Sequence, residues 1–131
     1  MWLTLVKHHE LGLLPERLLE YRVHSDGGNV STPVNSRRAY FEMCQIYRDI
    51  FADCPYDLFR QAFATHLVRA DFADGHEYEL EQSFLYLRHD IPAVRALGLE
   101  RLYRQLQDPV YLAEAERAYE FGLPRLIELT N

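Results

Sequence analysis

The sequence predicts a mainly α-helical protein, a bundle of about five to six helices with one short N-terminal strand or hairpin. Three observations lead there. From Ala39 onward the apolar residues recur every three to four positions, the period of one helix face. Helix-opening signals recur at Thr32-Pro33, Asp90-Ile91-Pro92 and Asp108-Pro109, each with Pro placed where its missing N–H costs nothing. One stretch alone, Arg17 to His24, alternates with the period of a strand.

The elements follow in order. Trp2, Leu3, Leu5 and Val6 mark a first helix over Met1 to His9, which Gly12 and Pro15 stop. Leu19, Tyr21 and Val23 then alternate with Leu18, Glu20 and Arg22, which predicts a short strand. No later segment offers that strand a partner apart from Leu13-Leu14, so it implies a missing sheet, a dimer or a small hairpin. Ser25 to Ser31 is a loop by composition. A second helix runs from Thr32-Pro33 to about Asp53 on a stripe of Ala39, Tyr40, Cys44, Tyr47 and Phe51. Pro55-Tyr56-Asp57 opens the next, with Phe59, Phe63, Leu67 and Ala70 as its stripe, and Asp74-Gly75 ends it. Leu80, Phe84 and Leu87 mark another helix. The helix after Pro92 turns Val94, Leu97, Leu102 and Leu106 inward. The one after Pro109 runs to Gly122, and a short last turn covers Leu123 to Leu129. The joints are short, so neighbouring helices are expected to pack antiparallel.

The 131 residues suit one globular body that folds without metal or disulfide. With 48% hydrophobic and 26% charged residues, the chain is not disordered as a whole. The net charge of -6 excludes non-specific nucleic-acid binding, which needs clustered cations. Lys7 is the only lysine, so nearly all basic side chains are arginines, which favour planar carboxylate or phosphate partners. Cys44 and Cys54 form no CxxC pair and read as reduced, half-buried helix residues. Lys7, His8, His9 and Glu10 interrupt the apolar start, which rules out a signal peptide there. No apolar run reaches membrane-spanning length, so a cytoplasmic location is expected.

The stretch Leu13-Leu14-Pro15-Glu16-Arg17-Leu18-Leu19-Glu20-Tyr21-Arg22-Val23-His24, followed by Asn29-Val30-Ser31, carries the functional signal. It resembles the C-terminal end of the catalytic domain of family-2 glycosyltransferases of the GT-A fold. There a helix is followed by a Pro near a strand, then Tyr-Arg-x-His, then a small-residue loop ending in Ser. Met1-Trp2-Leu3-Thr4-Leu5 resembles the family's helix after its Glu-Asp pair. The resemblance covers residues 1–31 and implies two parts: a remnant of the catalytic domain at 1–31 and a helical C-terminal domain at 32–131. It implies that Arg22 and His24 face the donor diphosphate, with Ser31 bonding a phosphate oxygen. An Arg fork and an imidazole suit the charge that grows on a departing nucleoside diphosphate, and His24 would alternatively ligate a divalent metal, Mn or Mg, in the full enzyme. The partners implied are a nucleotide-sugar donor and a glycan acceptor, in bacterial surface polysaccharide or glycan synthesis.

No Asp-x-Asp motif and no βαβ nucleotide-binding half lie within these residues, so this chain alone is expected to be catalytically inactive. The helical part would hold the acceptor, dock peripherally to a membrane face, or mediate assembly; the free strand edge offers a route to a homo-oligomer. The competing reading is a helical interaction scaffold. Asp90-Ile91-Pro92-Ala93-Val94-Arg95-Ala96-Leu97-Gly98-Leu99 resembles a HEAT-type repeat helix, with a second unit sought at Val110 to Leu126. Two other groups read as plain surface. His8, His9 and Glu10 are adjacent and do not face one another on a helix. Glu77, Glu79 and Glu81 fit a solvated first helical turn.

Overall fold

The computed structural model describes residues 2–12, 15, 16, 18, 20 and 36–130, with the backbone alone for residues 2–4. The helices are α1 (Trp2–His8), α2 (Ser36–Asp49), α3 (Tyr56–Ala62), α4 (His76–Leu87), α5 (Pro92–Gln105), α6 (Pro109–Tyr119) and α7 (Leu123–Thr130). The mainly helical architecture is the one the sequence predicts. Among the described residues there is no strand. Most of the Arg17–His24 stretch lies outside them, and Leu18 and Glu20 are exposed without strand assignment. The chain forms two compact units, 1–52 and 53–131, so α2 belongs with α1 rather than with the later helices.

In the first unit, α2 turns no residue fully inward, and Tyr40, Phe41 and Ile46 are exposed. Arg38 and Glu42 pair one turn apart on its surface at 2.7 Å. The Lys7 ammonium donates to the Ala52 carbonyl.

The second unit has two cores. An aromatic cluster joins α3 to the start of α4. Phe59 is fully buried, its ring 5.1 Å from Phe63 and 5.1 Å from Tyr78. Tyr56 meets Phe72 edge-on at 5.3 Å. The Tyr56 and Tyr78 hydroxyls donate to the carbonyls of Phe72 (2.5 Å) and Cys54 (2.6 Å), so their polar tips are satisfied. The larger core mixes aliphatic and aromatic side chains: Leu80, Phe84, Leu102, Leu106, Ala115, Phe121 and Leu126. Each buried Leu or Phe side chain contributes about 1.5–3 kcal/mol.

Helix α4 packs along α5 and also meets α6, while α5 meets α7. Helices α6 and α7 thus stack on the α4–α5 pair, α6 against α4 and α7 against α5. The sequence repeats in step with it. Ile91-Pro92 and Leu123-Pro124 open the two second helices, and Val94 and Leu126, two positions beyond each Pro, are both buried. Ser83 and Ala115, at the same interval on the first helices, have no exposed surface. Small residues there let the helices approach. Gly98 does the same on α5: a Cβ built on it would lie 2.9 Å from the Tyr86 Cβ and 3.0 Å from the Ser83 carbonyl.

The start of α6 follows the predicted chemistry, while its end falls at Tyr119 rather than at Gly122. Asp108 caps it by accepting from the Val110 amide at 2.8 Å, and Glu120 ends it in the left-handed region at φ 51°. The expectation that α3 continues to Ala70 is corrected. The helix stops after Ala62 and residues 63–75 form turns, in which the amides of Val68, Arg69 and Ala73 bond to side chains of α4 instead of to carbonyls four residues back. Cys44 lies on α2 as expected, whereas Cys54 precedes α3 and is not helical; both are free and half-buried.

Candidate functional site

Arg22, His24 and Ser31 lie outside the described residues. The residues leading to them, Pro15, Glu16, Leu18 and Glu20, are exposed. At the end of α1, His8, His9 and Glu10 are also exposed, and no group of three or more His, Cys, Asp and Glu among the described residues is placed to hold a metal ion.

The structure corrects the reading of the acidic turn on α4. Glu79 is exposed, but Glu77 and Glu81 are buried, with 6% and 1% of their surface accessible. One turn apart on α4, they face the segment between α3 and α4. The two Glu81 oxygens accept from the amides of Val68 and Arg69, each at 2.9 Å. One Glu77 oxygen accepts from the Ala73 amide at 2.7 Å, and the other takes the Arg117 guanidinium at 2.8 Å and that of Arg69 at 3.5 Å. Arg88 completes the clamp by donating to the carbonyls of His66 (2.6 Å) and Leu67 (3.3 Å).

Burial holds the Glu81 carboxyl above its ordinary range, outweighing the two amide bonds that favour the charged form. Burial, then the charges of Glu81 and Glu77, push the Tyr119 phenol up. Tyr111 donates to the Glu79 carboxylate and rises to about 12, with burial again the largest cause. The Arg117 guanidinium holds the Glu114 carboxyl down. All four Glu77 and Glu81 oxygens have donors in the protein itself. That arrangement fastens a segment of backbone and leaves no acid or base facing a substrate. The periodic pattern gave no hint of it, because an acid at a first helical turn and an acid turned inward read alike in sequence.

A second polar set ties α4 to α5. Arg101 donates to the Gln82 side-chain oxygen at 2.8 Å and to the Ser83 hydroxyl at 3.3 Å, and Ser83 bonds Gln105 at 2.9 Å. His89 accepts from the Ile91 amide at 3.1 Å and helps open α5.

Two concavities open on the second unit. One, of about 480 Å³, lies along α3 between Arg60, Asp57 and Leu67. Its guanidinium sits 5.4 Å from the Tyr56 ring centre. The other, of about 600 Å³, lies between α5 and α7 and is almost wholly apolar, with Leu99 and Tyr103 on one side and Leu123, Leu126 and Ile127 on the other. It is a groove suited to an apolar side chain rather than to chemistry.

A scan against family models finds no match, and searches of curated proteins and of solved structures find no similar chain.

Proposed function

We propose that this chain is the C-terminal portion of a family-2 glycosyltransferase, which transfers a sugar from a nucleotide-sugar donor in bacterial surface polysaccharide or glycan synthesis. The observation that carries the reading is the order of residues in 1–31: a Trp-containing helical start, Pro15-Glu16, Tyr21-Arg22-Val23-His24 and Asn29-Val30-Ser31. The helical state of Trp2–His8 supports it. Arg22 and His24 bind the donor diphosphate, and Ser31 bonds one of its oxygens. In the full enzyme a divalent metal, Mn or Mg, sits at the diphosphate with His24 as a candidate ligand. The 131 residues contain neither a Glu-Asp pair nor an Asp-x-Asp motif, so they transfer no sugar by themselves.

The test is an NMR titration of the chain with UDP and other nucleoside diphosphates, with and without Mg²⁺. Saturable shifts confined to residues 21–31, lost in Arg22→Ala, are expected. No shift at about millimolar ligand would overturn the reading. The stacking of α6 on α4 and of α7 on α5 favours the second reading, a helical interaction scaffold without catalysis, which predicts no nucleotide response at all.

A further inference from the structure

Helix α2 is amphipathic, and the first unit covers its apolar face only in part. At about 100° per residue, Ala39, Tyr40, Met43, Cys44, Ile46 and Tyr47 fall within one arc of about 160°, interrupted by Ser36 at the first position. Met43, Cys44 and Tyr47 are half-buried, while Tyr40 and Ile46 are 49% and 51% exposed. The helix has 14 residues and is about 21 Å long, too short to cross a bilayer and long enough to lie along one.

Cations mark one edge of that arc. Arg37 and Arg48 lie three turns apart in the sequence, so they stand within about 20° of each other around the helix. Cys44 adjoins them on the side of the arc and Phe41 on the other, and Phe41 is 62% exposed. Both arginines are exposed, and neither belongs to an ion pair among the described residues. The opposite edge carries little net charge. Glu42, one turn before Ile46, pairs with Arg38 at 2.7 Å, and Asp49 lies further round the back. The acidic excess of the chain falls on residues 53–131, with 14 acids against 8 arginines; residues 1–52 hold six acidic and six basic side chains, histidine aside.

An aromatic and aliphatic stripe edged by long cationic side chains fits a surface that is apolar beneath a layer of phosphates. The rings enter the headgroup region, and the guanidiniums, on flexible stems, reach the phosphates above them. We propose that α2 docks flat on an anionic lipid bilayer, with Tyr40, Phe41 and Ile46 in the headgroup layer and Arg37 and Arg48 on lipid phosphates. None of the residues assigned to the donor diphosphate lies on this face, so lipid binding and nucleotide binding succeed or fail separately.

Flotation of the full chain with vesicles tests the proposal, using phosphatidylcholine alone and phosphatidylcholine with an equal part of phosphatidylglycerol. The chain floats with the anionic vesicles, and the bound fraction falls as salt rises from low ionic strength to about 0.15 M. Arg37→Gln combined with Arg48→Gln lowers the partition coefficient roughly thirtyfold, about fivefold for each arginine. Phe41→Ser weakens binding several-fold. The three positions are exposed, and far-UV circular dichroism checks that each variant is folded. A chain that floats with neither vesicle overturns the proposal. So does equal binding to phosphatidylcholine alone, or a double variant that floats like the wild type, since the arginines would then not select the surface. Failure to float together with Phe41-dependent self-association in sedimentation equilibrium would assign the face to a second copy of the chain instead.

Discussion

Replacing Gly98 by Ala separates two accounts of the α4–α5 contact by the sign of one number. On an open helix face, Gly to Ala in mid-helix gains about 0.8–1.0 kcal/mol, because Ala loses less backbone freedom on folding. Gly98 is mid-helix in α5 and fully against α4. Its added Cβ would stand 2.9 Å from the Tyr86 Cβ, 3.0 Å from the Ser83 carbonyl oxygen and 3.1 Å from a Leu87 methyl. Two of these three are fixed to the α4 backbone, so side-chain rotation cannot relieve them and the helices must move apart. Overpacking of this kind costs typically 1–3 kcal/mol, and moving α4 also stretches the Arg101–Gln82 and Ser83–Gln105 bonds. The net effect is a loss of about 1 kcal/mol or more. For a unit the size of 53–131, that lowers the thermal midpoint by roughly 4–8 °C. Thermal unfolding followed by far-UV circular dichroism reads it directly, and urea unfolding checks that the transition stays cooperative. A rise in the midpoint would refute the close packing of α4 on α5 and the small-residue account of the hairpin.

Two further predictions test other parts of the fold. Glu120 holds a left-handed backbone at φ 51° and is exposed, so Glu120→Gly removes strain and is expected to stabilise by about 1 kcal/mol in urea unfolding; a loss would mean that its side chain makes an unrecognised contact. Glu81 binds its proton more tightly in the folded chain than at its ordinary value of 4.5, so its contribution is fully present below that value and is lost as pH rises through the folded value. The thermal midpoint of the wild type, taken relative to Glu81→Gln, should therefore increase on acidification from neutral pH toward 4.5. A difference that is flat or shrinks would show that the two amide bonds outweigh burial.

How far the sequence could be read depended on which partner each element uses. Helices α4, α5, α6 and α7 were legible because their signals are local: Pro92 and Pro109 at helix starts, Asp108 as a cap, and inward positions such as Leu80, Val94 and Leu102 at helical spacing. The stacking of α6 and α7 on the α4–α5 pair was only half legible. Asp90 to Leu99 stood out, while the match of Val94 to Leu126 and of Ser83 to Ala115 emerges once burial is known. Of the candidate diphosphate residues, Arg22, His24 and Ser31, all lie beyond the described part of the chain, and their reading rests on the sequence resemblance.

The segment after α3 shows why local signals fail where they do. Phe59, Phe63, Leu67 and Ala70 carry a helical period, and nothing between them breaks a helix. A helix continued through Val68 and Arg69 would bond their amides to carbonyls four residues back. Those two amides instead reach Glu81, and that of Ala73 reaches Glu77, across sequence gaps that no local window spans. The choice is set by the acids as much as by the segment. Buried without donors, two carboxylates would be prohibitively costly; with the amides and Arg117 they are satisfied, and Phe72 is drawn into the aromatic cluster beside Tyr56 and Tyr78. The turns at 63–75 and the burial of Glu77 and Glu81 are thus one arrangement, and neither half has a reason without the other.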